Sequence, residues 1–163
     1  MNVLLINGTS GVGKTTVAQK LVEMFPEKYN IIKSYTTRDR RNSYDNDHVF
    51  MKKSSLIIKM LNHQYIARTV IDGNIYCAFK NQFVDSKINI YIVDDWGVVD
   101  VLNSMNHLDS VKVVRIIRDE VNVDDERKNR FSSFLPNHCP HLSKIILNDD
   151  IDDVVKEIEC LNW

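Results

Sequence analysis

The 163-residue chain, 19.0 kDa in mass, has the size of a single domain and is long enough to bury roughly 70% of the surface it exposes when unfolded. Twenty-one Lys and Arg against 22 Asp and Glu leave a formal charge of −1, which excludes a general electrostatic attraction to nucleic acid or an anionic membrane, so any phosphate recognition must come from a local cluster. A content of 44% hydrophobic and 26% charged residues excludes a disordered chain, and three widely spaced cysteines, Cys77, Cys139 and Cys160, argue against a disulfide framework.

Reduced thiols suit the cytoplasm. No apolar run approaches the ~18 residues of a membrane span. The start, Met1-Asn2 followed by Val3 to Ile6, has no basic n-region, so no signal peptide is expected and the chain is assigned to the cytoplasm.

Val3-Leu4-Leu5-Ile6 is a continuous, β-branched-rich run closed by Asn7-Gly8, the pattern of a strand buried on both faces of a parallel sheet. Val17, Ala18, Leu21, Val22 and Phe25 then recur at helical spacing until Pro26. Tyr35 to Phe83 breaks this rhythm: it carries Leu56, Ile57, Met60 and Leu61 as a small helix and alternates weakly afterwards. An insertion of that size in an α/β core predicts a substrate-covering subdomain at about 35–83, between core segments 1–34 and 84–163. Ile88 to Val93 and Val111 to Ile117 read as further strands. The first is followed by the helical pattern Val98, Val99, Leu102, Met105 and the second by a charged run from Asp119 to Arg130. Lys144 to Leu147 is a last short strand, and Val154, Val155, Ile158 and Leu161 stripe a closing helix after Asp150. Strands alternating with helices predict one α/β domain, a parallel sheet with helices on both faces.

Gly8-Thr9-Ser10-Gly11-Val12-Gly13-Lys14-Thr15 matches G-x-x-x-x-G-K-[ST], between a predicted strand and a predicted helix, with Thr16 behind it. Glycines let the backbone wrap an anion with its N–H groups inward, and a helix N-terminus adds about half a positive charge. Lys14 would reach the β- and γ-phosphates of ATP, and the Thr15 hydroxyl would ligate Mg²⁺. A glycine-rich turn with a surface lysine is the competing interpretation, and the flanking strand and helix disfavour it. Asp94 and Asp95 end the strand Ile88 to Val93 at the carboxyl edge of the sheet, where open α/β folds bind ligands. A carboxylate there can serve the metal shell or an acceptor hydroxyl, and an Asp there also serves as a helix N-cap. Asp94 is the candidate metal ligand.

Ser34-Tyr35-Thr36-Thr37-Arg38-Asp39-Arg40-Arg41 places three arginines outside the core strands, either a solvated loop or a set of guanidinium forks for an anion opposite the glycine loop. With this segment the chain resembles the guanylate kinase family. The family's S-x-T-T-R-x-x-R is met by Ser34, Thr36, Thr37, Arg38 and Arg41, its G-N-Y-Y by Gly73-Asn74-Ile75-Tyr76, its D-x-x-G by Asp94 and Gly97, and its N-D-D by Asn148-Asp149-Asp150. The likeness spans nearly the whole chain. It implies a P-loop kinase three-layer fold with an acceptor-binding insertion and a short lid at about 124–143. It further implies that Arg38, Arg41 and Tyr76 grip the acceptor phosphate beside Ser34, that Asn148 lies by the adenine site, and that Arg127 and Arg130 are lid arginines neutralising the transferring group. The implied partner is a nucleoside monophosphate, with ATP and Mg²⁺.

The departures fall in the acceptor pocket. The family's second phosphate-binding tyrosine is replaced by His48, its guanine-reading glutamate by Ala67, a base-contacting hydroxyl by Ala78 and an earlier strand aspartate by Ile92. The lid is also shortened. Loss of base-reading groups with retention of phosphate grips should abolish guanine preference or accompany a different base, for which a pyrimidine or a modified (deoxy)nucleoside monophosphate is a candidate acceptor. The rival expectations are a non-catalytic module of the same family binding a phosphorylated or acidic partner, and a kinase for a modified base in DNA or for a non-nucleotide. His138-Cys139-Pro140-His141 is too small a set for a zinc site, and Trp96 and Trp163 are expected to serve packing.

Overall fold

The structure, a computed structural model, describes residues 1–104, 110–118 and 142–163. A five-stranded, wholly parallel sheet has the order β2-β7-β1-β8-β9, with β1 at Asn2–Asn7, β2 at Tyr29–Ile32, β7 at Ile88–Ile92, β8 at Ser110–Ile117 and β9 at Leu142–Leu147. The central strand is apolar throughout because both its faces are covered. Leu4 and Ile6 pack with Val17, Ala18 and Leu21 of α1 (Lys14–Met24) and with Val154, Val155 and Ile158 of α4 (Ile151–Glu159). Val3 and Leu5 pack on the other face, with Val98 and Val101 of α3 (Asp95–Ser104) and with Ile66, Ala67 and Ala78. Each fully buried Val, Leu or Ile contributes about 1.5–3 kcal/mol, which makes this double-sided packing the main support of the fold.

The expected parallel sheet with helices on both faces is therefore present. Strand β2 is short, with only Tyr29 and Ile32 buried, and gave no periodic signal. Its place at the sheet edge is secured by side chains: the Tyr29 hydroxyl donates to Glu159, and Asn30 Nδ2 donates to Asn89 Oδ1 at 2.9 Å. Asn89, which interrupts the apolar run of β7, is wholly buried. Its Oδ1 also accepts from the Val84 N–H, and its Nδ2 donates to the carbonyls of Asn2, Val84 and Lys87, so the buried amide is satisfied.

Residues 35–79 form a second, four-stranded sheet of order β4-β3-β6-β5, made of β3 (Tyr35–Thr36), β4 (Val49–Phe50), β5 (Tyr65–Ile71) and β6 (Asn74–Phe79). The predicted small helix is α2 (Lys53–Asn62), but only Leu56 of its stripe is buried; Ile57 and Leu61 face solvent at 42% and 81% exposure. The α3 pattern ends at Ser104, so Met105 lies outside the described residues, as do the charged run from Asp119, Arg127, Arg130 and the His138-to-His141 cluster. Cys77 is a buried free thiol, pushed up to about 11 by burial, and Cys160 is exposed and free. Among the described residues no helix is long and apolar enough to cross a membrane.

Candidate active site

Because the five strands run parallel, their carboxyl ends lie along one edge, and every segment that follows them opens there. Gly8 to Thr15 follows β1, Ser34 follows β2, Asp94 and Asp95 follow β7, and Asn148 follows β9.

The glycine loop is held in shape from below. Gly8 has φ +144°, and a Cβ there would stand 2.3 Å from the Ile116 carbonyl oxygen of β8. Gly13, at φ +92°, is the N-terminal flanking residue of α1; a Cβ on it would meet Asn148 Nδ2 at 2.5 Å. Asn148 is buried and its Nδ2 donates to the Val12 carbonyl at 2.6 Å, so the residue placed near the adenine by resemblance is, in its contacts, a strut under the loop. No side chain caps α1 and no acid lies in its first turn, so its first N–H groups stay available to an anion. At α4 the Asp150 side chain accepts from the N–H groups of Asp152 and Asp153, and both those acids lie in the first turn. The Lys14 ammonium folds back on the loop, donating to the carbonyls of Gly8 at 2.8 Å and Thr9 at 2.6 Å. Burial lowers its pKa to about 8, since neutral carbonyls replace little of the hydration lost.

Two polar clusters that the sequence reading did not anticipate brace this edge. Asn7, directly before Gly8, donates through Nδ2 to Asp95 Oδ1 at 2.9 Å. Arg115, buried in β8, donates to Asn7 Oδ1 and pairs with Asp95 Oδ1 at 3.2 Å. An arginine inside an apolar strand run was the available signal, because a buried guanidinium requires a partner. Ser34 and Tyr91 form the second cluster, their hydroxyls 3.1 Å apart in the interior. Asp95 is thus spent on Arg115. Asp94 caps α3, accepting from the Gly97 N–H at 2.6 Å, and still borders the cavity containing Lys14. Burial and the neighbouring Asp95 raise its pKa, against the pull of the Gly97 N–H.

The arginine segment is organised by hydrogen bonds to its own hydroxyls: Thr36 Oγ1 accepts from the Arg38 N–H at 3.1 Å and Thr37 Oγ1 from the Ile75 N–H at 3.0 Å. The two guanidinium groups expected to act together are placed differently. Arg41 borders the cavity, while Arg38 is paired with Asp45 at 2.9 Å, donates to the Asp39 carbonyl and lies over the Phe50 ring. Asp45 Oδ2 also accepts from the Arg41 N–H at 3.1 Å. Burial pushes the Asp45 carboxyl up, but the Arg38 guanidinium and the Arg41 N–H outweigh it and hold the group below the usual carboxylate range.

Gly8, Ser10 and Lys14 from the glycine loop line one cavity of about 190 Å³ together with Ser34, Arg41, His48 and Tyr76 from the arginine side. Its deeper wall is Ala67, Tyr91 and Ile92. A larger cleft of about 780 Å³, bordered by Gly11, Gly13, Thr15 and Thr16, shares Ser10, Lys14, Arg41 and His48 with it, so the two are continuous. Ala67 sits at φ +52°, in the stretch where the β5–β6 register shifts, and Ala78 is buried in the core. Trp96, expected to serve packing, is instead 61% exposed and borders a third groove beyond Asp94. Trp163 is partly exposed, with the Lys112 ammonium over its ring.

The donor set tests which ion would suit the site. Among the described residues no three His, Cys, Asp or Glu side chains gather as a cage. Thr15 and Asp94, a hydroxyl and a carboxylate on adjoining clefts, fit Mg²⁺, which keeps several waters and takes few protein ligands.

Comparison with known proteins agrees with this geometry. Guanylate kinase of Anaplasma phagocytophilum (strain HZ) is 28% identical over 176 residues, covering 96% of this chain and 83% of that protein. Guanylate kinase of Mycoplasmoides gallisepticum is 26% identical, covering 98% of this chain and 90% of its own length. The crystal structure of guanylate kinase from Anaplasma phagocytophilum shares the fold, with a TM-score of 0.71 at 22% identity over 96% of this chain and 81% of that one. The guanylate kinase family model matches residues 1–130, from the glycine loop through the arginine segment and Asp94, and the chain belongs to the guanylate kinase family.

Proposed function

We propose that this chain transfers the γ-phosphoryl group of ATP to a nucleoside monophosphate whose base is not guanine. The observation that carries the reading is the shared cavity, whose lining joins Gly8, Ser10 and Lys14 of the glycine loop with Ser34, Arg41, His48 and Tyr76. Two anions held there would be brought together for in-line attack, and positioning of that kind supplies much of the catalysis in phosphoryl transfer.

Lys14 exchanges its two carbonyl partners for phosphate oxygens, and the N–H groups of Gly11 to Thr15 hold the rest of the polyphosphate. Thr15 and Asp94 would hold Mg²⁺, which would supply charge neutralisation for the transferring phosphoryl group. Arg41, His48 and Tyr76 hold the acceptor phosphate, and Arg38 joins them by exchanging Asp45 for a phosphate oxygen. Arg127 and Arg130 are assigned to the lid that excludes water and neutralises the transferring group. Core segments 1–34 and 84–163 carry the ATP side; the insertion of about 35–83 carries the acceptor.

At the place where the family's guanine-reading carboxylate is expected, the cavity wall presents the Ala67 methyl, flanked by Tyr91 and Ile92. A site that hydrogen-bonds a base edge discriminates by about 10⁴–10⁵, and a wall with a methyl in place of that carboxylate forfeits that part of the preference. The test is an ATP-consumption assay over all ribo- and deoxynucleoside monophosphates, with 5-substituted pyrimidines included. Turnover with a pyrimidine or modified monophosphate exceeding that with GMP is expected. GMP as the best substrate would overturn the base assignment, and no turnover with any would overturn the kinase reading.

A further inference from the structure

The His48 imidazole belongs to the loop that enters β4. Its ring meets Tyr76 and Phe50 edge to face, with centroids 5.6 Å and 6.0 Å away, and these contacts fix its plane. Its Nδ1 is buried and has no hydrogen-bond partner. Buried polar atoms are nearly always paired, so an orphaned nitrogen on a ring that borders a cavity marks a bond that a ligand can complete once the ring flips about its own plane to turn that nitrogen outward, without displacing a protein partner. His48 borders both clefts, and Lys14 and Arg41 line both with it.

We infer that His48 is a proton-linked contact for the acceptor's phosphoryl group, its imidazole taking up a proton from solvent as the dianion docks. This deepens the acceptor reading given above and rests on it.

The charged groups facing the ring set the direction. On its own loop, burial and the Arg38 and Arg41 cations hold the imidazole below its usual range, while the Asp45 and Asp47 carboxylates pull the other way. From the glycine loop comes Lys14, from β6 Tyr76, and from the end of β7 Asp94. The net result is a neutral ring at pH 7 in a basic setting. A phosphoryl group adds nearly two negative charges, its second ionisation lying near pH 6, and an anion beside an imidazole favours the protonated form. A neutral imidazole offers one donor and one acceptor, whereas imidazolium offers two donors to an oxygen-only partner. Affinity for the monophosphate therefore rises as pH falls through the imidazole's value in the complex.

The experiment is calorimetric titration of GMP, UMP and dTMP into the full chain, in phosphate-free buffers of different ionisation enthalpy, for wild type, His48→Tyr and His48→Gln. Wild type is expected to take up protons beyond the phosphate's own share, and both variants to lose that excess. The ratio of variant to wild-type Kd should rise roughly two- to fivefold from pH 8 to pH 6, the linkage effect of a shift of about one unit in that window. Tight binding with equal proton uptake in wild type and either variant would overturn the inference while leaving the acceptor reading intact. Binding of none of the three nucleotides by wild type would overturn both.

Discussion

In the loop from Gly8 to Thr15 the proposed anion donors are main-chain N–H groups, in a loop that packs closely on the Ile116 carbonyl and the Asn148 amide and leads into α1. In residues 34–50 the proposed donors are side chains of the segments flanking two two-residue strands, β3 and β4, and one of them, Arg38, already has an anionic partner in Asp45. On the proposed reading, the contrast is between two ways to recognise phosphate. A backbone cradle is preorganised and insensitive to side-chain identity except where glycine is required. A guanidinium station is adjustable: its strength depends on what each arginine must release before it can bind.

If the cradle side owes its action to Lys14 reaching the phosphates, Lys14→Ala should lower kcat by about 10²–10³-fold while the thermal melting curve barely moves. Full turnover by that variant would remove Lys14 from the mechanism. The cradle's foundation is tested next by Arg115→Met, which removes the guanidinium from Asp95 in a largely buried position; breaking such a pair should reduce unfolding free energy by about 3 kcal/mol in denaturant melts. On the adjustable side, Arg38→Ala should raise the acceptor KM roughly tenfold and leave the ATP KM within about twofold, because only one of several acceptor contacts is lost. Equal losses for both substrates would dissolve the distinction between the stations.

Asp45→Asn should have the smallest effect and the opposite sign. Weakening the hold on Arg38 lowers the acceptor KM by about two- to fivefold, a modest change because Arg38 keeps the Asp39 carbonyl and the Phe50 ring as partners. Because Asp45 is held below the usual carboxylate range, its contribution to stability is complete above about pH 4 and is lost as pH falls through the lowered value. The variant should therefore show a flatter acid limb in melting temperature between about pH 5 and pH 2.5.

The same contrast explains what could be read from the sequence. Strand β1, the glycine octet and α1 were legible because burial on both faces demands an unbroken apolar run and the tight turn demands glycine at set spacing. Asp94 was legible as both cap and cavity residue, since both roles follow from its place at a strand's carboxyl end. Strand β2 was not, because its hold on the sheet is a matter of Tyr29, Asn30 and their distant partners Glu159 and Asn89. Nor was the Asn7–Asp95–Arg115 cluster, whose members lie 88 and 108 residues from Asn7 along the chain and meet only in the folded sheet. The arginine segment was recognised as a motif, yet its pattern does not record that Asp45 turns back on Arg38. That contact arises from the course of the loop and leaves no periodic trace.

The central claim is that both stations serve one gap, and a dinucleoside polyphosphate spanning them tests it most directly. Equilibrium titration of adenosine linked through five phosphates to the best acceptor nucleoside should displace ATP and the monophosphate together, bind more tightly than either, and weaken in both Lys14→Ala and Arg38→Ala. Simultaneous binding of that analogue with free monophosphate, or loss in Lys14→Ala alone, would contradict it.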